Sequence, residues 1–278
     1  MNSRRLLSLA HQSTAAVAGK ASGAMVNGGS LIINADDWGR SRETTDRIIE
    51  CWEQRCISSV SAMVFMKDSE RAAAYACERG IDAGLHLNFT TVFSGQVYPA
   101  RLREHQQEIA QRLLRHRLAR VLFYPELIPS FEYVVSAQFD EFARLYGGAP
   151  RRLDGHHHMH LCSNVALGGL LEAGTIVRRN FSFEPGEKSY ANRFYRGVVD
   201  HLLARRHPLT DFFFSLTPLV PAERLDRIVS LSHHFVVEVE THPINPEEYR
   251  FLAGGEMFYQ FTGCEVASSF MASTNGNR

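Results

Sequence analysis

The chain of 278 residues is longer than a typical single domain, yet α/β barrels reach this size as one unit. Hydrophobic residues make up 45% and charged residues 22%, so the chain can bury a sizeable core and is not disordered throughout. Its 30 basic residues balance 30 acidic ones; no overall field favours nucleic acid or an anionic membrane, and a neutral or mixed substrate fits better.

In chain order, residues 1–28 place Arg4 and Arg5 before a short apolar patch, Leu6, Leu7 and Leu9, that His11 and Gln12 soon end. The patch is too short for an export signal, so this segment is expected to be a disordered extension. Residues 29–267 are expected to form one (β/α) barrel and residues 268–278 a flexible tail. Runs of about 18 apolar residues are missing, which argues against a membrane span. Cys51, Cys56, Cys77, Cys162 and Cys264 form no CxxC pair and read as reduced thiols of a cytoplasmic protein, with Cys51 and Cys56 inside an apparent helix. Homo-oligomerisation is left open.

Short apolar runs alternate with longer amphipathic stretches, the rhythm of a parallel sheet with helices outside it. The predicted strands are 31–35, 58–65, 81–87, 151–155, 175–179, 211–215 and 235–240. Between them, 41–54, 68–78, 102–122, 131–145, 192–205 and 222–229 have helical composition and length. Ser41 and Asp68 are placed to start helices, and Gly80 and Gly147 to stop them. The fold class is therefore α/β, a TIM-barrel-like barrel of about seven parallel strands.

In such folds chemistry collects at the carboxyl ends of the strands. The unusual polar residues obey that rule: Asn34, Asp36 and Asp37 follow strand one, His86 and Asn88 close strand three, Asp154 to His160 close strand four, and His242 follows the last strand. Two adjacent carboxylates in an apolar setting repel each other unless a cation relieves them, which suggests that one binds a metal while its neighbour accepts a proton. Considered alone, such a pair is more often a cap or turn. His86 lies in an otherwise apolar strand and needs a hydrogen bond or a metal to offset its burial. Four of the 13 histidines fall within residues 156–160. If that segment stays extended, Asp154, His156, His158 and His160 share one face and His157 points away. One Asp with two His leaves coordination positions open for water and substrate, the layout of a catalytic site. Glu238, Glu240 and His242 share one parity of the last strand, and His242 before Pro243 is placed either to protonate a leaving amine or simply to turn the chain at the strand end. Arg178 and Arg179, after strand five, are expected to meet either a carboxylate or phosphate on the substrate or open solvent.

Asn34 to Gly39, Gly84 to Leu87, Asp154 to His160 and Glu238 to Pro243 together resemble the YdjC-like carbohydrate deacetylases, the ChbG/HpnK group. The segment from Thr175 to Gly186 is closer to the HpnK-like branch. The resemblance implies a divalent metal, magnesium by family habit, and hydrolysis of the acetamide of an N-acetylglucosamine-type sugar or glycolipid. It makes Asp36 the general base, Asp37, His86 and His156 the metal ligands, and His242 the histidine before proline. Asn34, Trp38, Asn88, Asp154, His158, His160, Arg178, Arg179, Glu238 and Glu240 would then touch substrate or support the ligands. Trp38, Ile244 and Cys162-Ser163 depart from the family pattern, which bears on the substrate more than on the metal. By ligand type alone, zinc or another transition ion suits Asp-His-His better than magnesium. Two other readings are a metal-dependent glycosidase or phosphoesterase, which would want a second acidic pair or a two-metal signature, and a non-catalytic sugar-binding barrel, which would want a broken ligand set.

Overall fold

The structure is a computed structural model that describes residues 29–116, 118–183, 186–261 and 266–270. The expected extension at 1–28, Cys264 and residues 271–278 lie outside the described residues. In order come β1 (Ser30–Trp38), α1 (Arg42–Glu53), β2 (Ser59–Ala62), α2 (Ser69–Arg79), β3 (Ala83–Leu87), α3 (Ala100–Leu113), α4 (Ile128–Tyr146), β4 (Arg152–Gly155) and α5 (Ser163–Gly168). There follow β5 (Ile176–Val177), α6 (Tyr190–Ala204), β6 (Phe212–Ser215), α7 (Glu223–Ser232), β7 (Val236–Thr241), α8 (Pro246–Ala253) and α9 (Glu256–Gln260).

The seven strands form one parallel sheet in the order β5-β4-β3-β2-β1-β7-β6. Five strand spacings separate β5 from β7, roughly 24 Å if the sheet were flat. Arg178, directly after β5, nevertheless bonds Glu238 on β7 at 2.7 Å. The sheet is thus curled into a barrel whose inner face is shared. Among the described residues no ladder joins β5 to β6; Ser182 N instead donates to Phe213 O at 2.8 Å across the gap.

Inward positions fall in layers, as they do in closed barrels. At the amino ends Ile32, Ile176, Val236 and Phe270 form a small apolar plug. Phe270 is 1% exposed, so the chain expected as a tail from 268 still packs under the barrel there. Above the plug lie Asn34, Ser59, Ser61 and Arg152, and above them the carboxylates and histidines of the site. Gly84 makes room for Arg152: an added Cβ would stand 2.8 Å from its Cζ. Outward positions such as Ile33, Ala35 and Leu85 join the helices in the main core.

Most helix signals work as their chemistry dictates. The Ser41 side chain accepts from Thr44 N, and Gly80 and Gly147 end α2 and α4 in the left-handed conformation. Asp68 makes no cap bond and pairs with Arg71 at 2.7 Å instead. The helix expected over 102–122 stops at Leu113. Leu102, Gln106, Ile109 and Leu113 face the core, whereas Leu114, Leu118 and Leu122 have nothing to pack on and stay exposed, leaving only a short 3-10 turn at Ala119–Val121. Cys56 lies beyond the end of α1, buried, with its Sγ on Leu252 O at 3.2 Å.

Candidate active site

Adjacent residues of a strand point to opposite faces, so Asp36 and Asp37 should not both face the barrel interior. A register shift between Ala35 and Trp38 and a left-handed backbone at Asp37, φ 66°, break the alternation. Asp36 keeps its inward place, Asp37 turns in beside it, and Trp38 is thrown outward. Trp38 is fully buried against Tyr75 of α2, ring centroids 6.4 Å apart, so it is a core residue and does not reach the site.

Strand β4 ends at Gly155, and the histidine run does not continue extended. His156–Leu161 form a 3-10 turn with His157 and His158 left-handed, at φ 55° and 56°. The shared face expected for Asp154, His156, His158 and His160 is thereby broken up. His156 stays over the centre, while His157 bonds Thr90 Oγ1 at 3.0 Å. His158 swings between Glu240 and the rings of Phe181 and Phe213, and His160 folds back under the loop to donate from Nε2 to Arg178 O at 3.0 Å.

Two groups of side chains come close enough to hold an ion: Asp37, His86 and His156, and Asp36, His86 and Asp154, each with ligand atoms within 4.8 Å. Hydrogen bonding separates them. In the second group the carboxylate oxygens are already engaged: Asp154 by His86 Nδ1 at 2.8 Å and Ser61 Oγ at 2.5 Å, Asp36 by Asn34 and Arg178. In the first group Asp37 Oδ1, His86 Nε2 and His156 Nε2 are buried without a hydrogen-bond partner. Asp37 Oδ1 lies 2.9 Å from His156 Nδ1 and 3.5 Å from His86 Nε2. His86 Nε2 and His156 Nδ1 crowd one buried carboxylate oxygen, only the His156 contact coming within hydrogen-bond distance, and a cation gathering such donors is what this set fits. Asp154 fixes the His86 ring from behind and leaves Nε2 free, the usual support for a ligating histidine. Arg40 Nη1 takes the other oxygen of Asp37 at 2.7 Å.

Below this set lies a buried ionic cluster. Arg178 reaches Asp36 through two bonds of 2.6 and 2.8 Å, Glu238 at 2.7 Å, Glu240 at 3.3 Å and Asp154 at 2.8 Å. Burial opposes ionisation of Asp36, but the Arg178 guanidinium outweighs it and holds the carboxyl well below its ordinary value. Burial likewise opposes ionisation of Asp154, and Arg178 again wins, bringing it to about 2. Glu238 and Glu240 lose the contest: burial, with neighbouring carboxylates, pushes them up to about 7 and about 8. Burial disfavours charge on His86, yet Asp154, Asp36 and Asp37 raise it to about 9. At His158 and His160 burial dominates and lowers both to about 3, so each is a neutral imidazole.

Arg178 is saturated by carboxylates and is not free to meet a substrate anion. Arg179 points away from the site, to Asp200 at 3.1 Å and the carbonyl of Thr210 at 3.2 Å. Asn88 organises the loop after β3, its Oδ1 accepting from Thr90 N and Thr91 N and its backbone N–H donating to Gln138 Oε1. His242 is half-buried at the end of β7, within electrostatic reach of Asp36, Glu240 and His158. Its position depends on a residue that the sequence reading passed over: Glu248 Oε2 accepts from His242 N at 2.6 Å and Thr241 Oγ1 at 2.7 Å. The signal was present as Asn245-Pro246-Glu247-Glu248, an N-cap, a proline at the first helical position and an acid at the third. Arg152, Ser59 and Ser61 were also missed, although Arg152 shares the parity of Asp154.

The solved structure of a protein from Enterococcus faecalis, proposed to be a cellobiose-phosphate cleavage protein, has the same fold. Its TM-score is 0.61 at 16% sequence identity, covering 88% of this chain and 98% of that one. A chitooligosaccharide deacetylase of Serratia marcescens is 33% identical over 132 residues, 47% of this chain and 50% of that protein. One from Proteus mirabilis is 29% identical over 137 residues, 49% and 51% of the two chains. The chain thus spans about half the length of the curated relatives it matches. The family profile described as YdjC-like protein covers far more, residues 30–248, from the first residue of β1 to Glu248 beneath His242. With every strand of the barrel and the whole of the ligand set inside that match, the chain belongs to the family of YdjC-like proteins.

Proposed function

We propose that the chain removes the acetyl group from an N-acetylglucosamine-type sugar or glycoconjugate, releasing acetate, with one divalent metal ion held by Asp37, His86 and His156. The observation that carries this reading is the convergence of the buried Asp37, His86 and His156 side chains on one point of the barrel mouth, with ligand atoms within 4.8 Å of one another. The curated relatives, chitooligosaccharide deacetylases, supply the reaction class. A divalent ion bound there supplies Lewis acidity toward water and toward the acetamide carbonyl oxygen.

The chain's own residues do the rest. Asp36 is the base: Oδ1 accepts from both Asn34 and Arg178, whereas Oδ2 accepts from Arg178 alone and keeps room for a proton drawn from water. Arg178 keeps that carboxylate ionised and aimed. His242 donates a proton to the departing nitrogen, held at the strand end by Glu248. One Asp and two His suit zinc or another transition ion, with magnesium the harder fit. The described cysteines are unpaired, in keeping with a reducing compartment such as the cytoplasm, and among the described residues no helix is long and apolar enough to cross a membrane.

The test is acetate release by the metal-loaded protein across N-acetylated monosaccharides, chito-oligosaccharides, nucleotide sugars and lipid-linked sugars. Metal-dependent acetate from at least one of them is expected. A protein that takes up the ion and releases acetate from none is not a deacetylase of this kind.

A further inference from the structure

Between α3 and α4 the chain carries apolar side chains that the fold does not cover. After α3 ends at Leu113, the side chains of Leu114, Leu118, Leu122 and Phe123 stay 57%, 66%, 48% and 41% exposed. On α6, Tyr190, Phe194 and Val198 are spaced four residues apart, hence on one side of the helix, and are 87%, 75% and 42% exposed. The two elements meet at the start of α5, where Ser163 Oγ donates to Val121 O at 2.6 Å and also bonds Tyr195 of α6. Because α5 follows the His156–Leu161 turn, this surface lies on the carboxyl face of the barrel, beside the candidate centre.

The charge on it has one sign. Residues 109–125 contain four arginines and a histidine and no Asp or Glu, in a chain whose formal charge is zero. Arg112 is taken up by Glu126 at 3.3 Å and by the Tyr124 ring. Arg115 and Arg120 are exposed and have no ion pair among the described residues. Exposed leucines with unpaired arginines between them suit one kind of surface: an apolar side chain enters the boundary between headgroups and acyl chains while its cationic neighbour stays with anionic headgroups. A nucleic acid would use the arginines and leave the leucines in water. A second copy of the chain, in an isologous contact, would bring the same arginines and no acid to meet them.

We propose that residues 114–123, with the outer side of α6, dock on an anionic lipid bilayer and hold the barrel mouth at its surface. The attachment is peripheral, made by a few apolar side chains and their basic neighbours. It goes beyond the deacetylase reading and does not depend on it, since exposure and charge alone carry it.

Co-sedimentation of the full chain with vesicles of phosphatidylcholine, and of equal parts phosphatidylcholine and phosphatidylglycerol, tests this without relying on turnover. Uptake by the anionic vesicles should exceed uptake by the neutral ones by at least about tenfold and should fall as salt is raised. Arg115→Gln combined with Arg120→Gln should lower it by about tenfold or more, and Leu118→Ser combined with Leu122→Ser by about tenfold. All four positions are exposed, so both variants should keep the unfolding midpoint of the parent chain. Equal uptake by the two kinds of vesicle overturns the proposal, as does uptake that both variants retain. Self-association that the serine pair abolishes, with no uptake by either vesicle, overturns it as well and gives the face to a second copy. Acetate release plays no part in the readout, so failure here leaves the deacetylase reading standing, and failure of that reading leaves the lipid surface standing.

Discussion

Asp36 and Asp37 are neighbours in the chain with opposite surroundings. Three of the four lone-pair positions of Asp36 are taken by Asn34 and Arg178, while Oδ1 of Asp37 is buried and open beside His86 and His156. Their substitution should therefore have different consequences. Asp36→Asn is expected to keep cation affinity and lower turnover by ~10²–10⁴, because an amide fills the space without accepting the proton. Asp37→Asn is expected to lose cation affinity first, with activity partly restored by added metal. Metal titration beside acetate release checks both; the reverse pattern exchanges their roles. Sequence alone brought out these carboxylates and the histidines of the centre, because their placement at the carboxyl ends of strands is a pattern that folding must respect. For Arg178 the sequence left open whether it meets substrate, solvent or the residues that support the ligands, for a physical reason. A guanidinium next to a strand end looks the same in sequence whether it faces solvent or four carboxylates, and only the curl of the sheet brings Asp36, Asp154, Glu238 and Glu240 around it.

At the scale of elements, periodicity located all seven strands, since apolar runs bounded by helices leave little choice of type. It failed where the backbone leaves its regular path. The break of alternation at Asp37 sends Trp38 to the core, and the left-handed pair His157 and His158 divides one histidine run among several tasks. Neither has a glycine to announce it. The helix expected to reach residue 122 failed for another reason, because leucines at helical spacing mark a face but not whether anything covers it. Close packing inside the barrel is testable through Gly84 on β3. A Cβ there would meet Arg152 Cζ at 2.8 Å and its carbonyl oxygen at 3.0 Å. Gly84→Ala should cost about 1–3 kcal/mol and lower the thermal midpoint by several degrees. Gly148→Ala, with nothing within 4 Å of the new carbon, should change stability by no more than about 0.5 kcal/mol. Equal effects at the two sites would mean that Arg152 yields without cost.

For the molecule as a whole, the barrel holds more carboxylates than cations can neutralise, and this imbalance sets how its stability depends on pH. Arg178 and Arg152 offset Asp36 and Asp154, which leaves Glu238 and Glu240 to stay neutral by keeping their protons. Their folded values, about 7 and about 8, lie above the ordinary 4.5. Their contribution to stability is thus fully present below about 4.5 and is lost as pH rises through about 7 and 8. Asp154 and Asp36 act in the opposite sense: with folded values below 3.8, their contribution is present above about 4 and is lost as pH falls toward 2. On the acid side the neutral His158 and His160, at about 3 against an ordinary 6.5, add a loss of stability as pH falls below about 6.5, so the metal-free protein should be most stable near neutrality and weaken toward pH 9. Guanidinium unfolding midpoints at pH 7 and pH 9, taken with a chelator present, read the glutamate contribution directly. Glu238→Gln and Glu240→Gln should each flatten the loss, since a neutral amide has no proton to release into a site that cannot hold a second charge. A midpoint that holds steady or rises from pH 7 to pH 9, or a slope that both amide variants leave untouched, would show that the excess charge inside the barrel is compensated by groups other than these two glutamates.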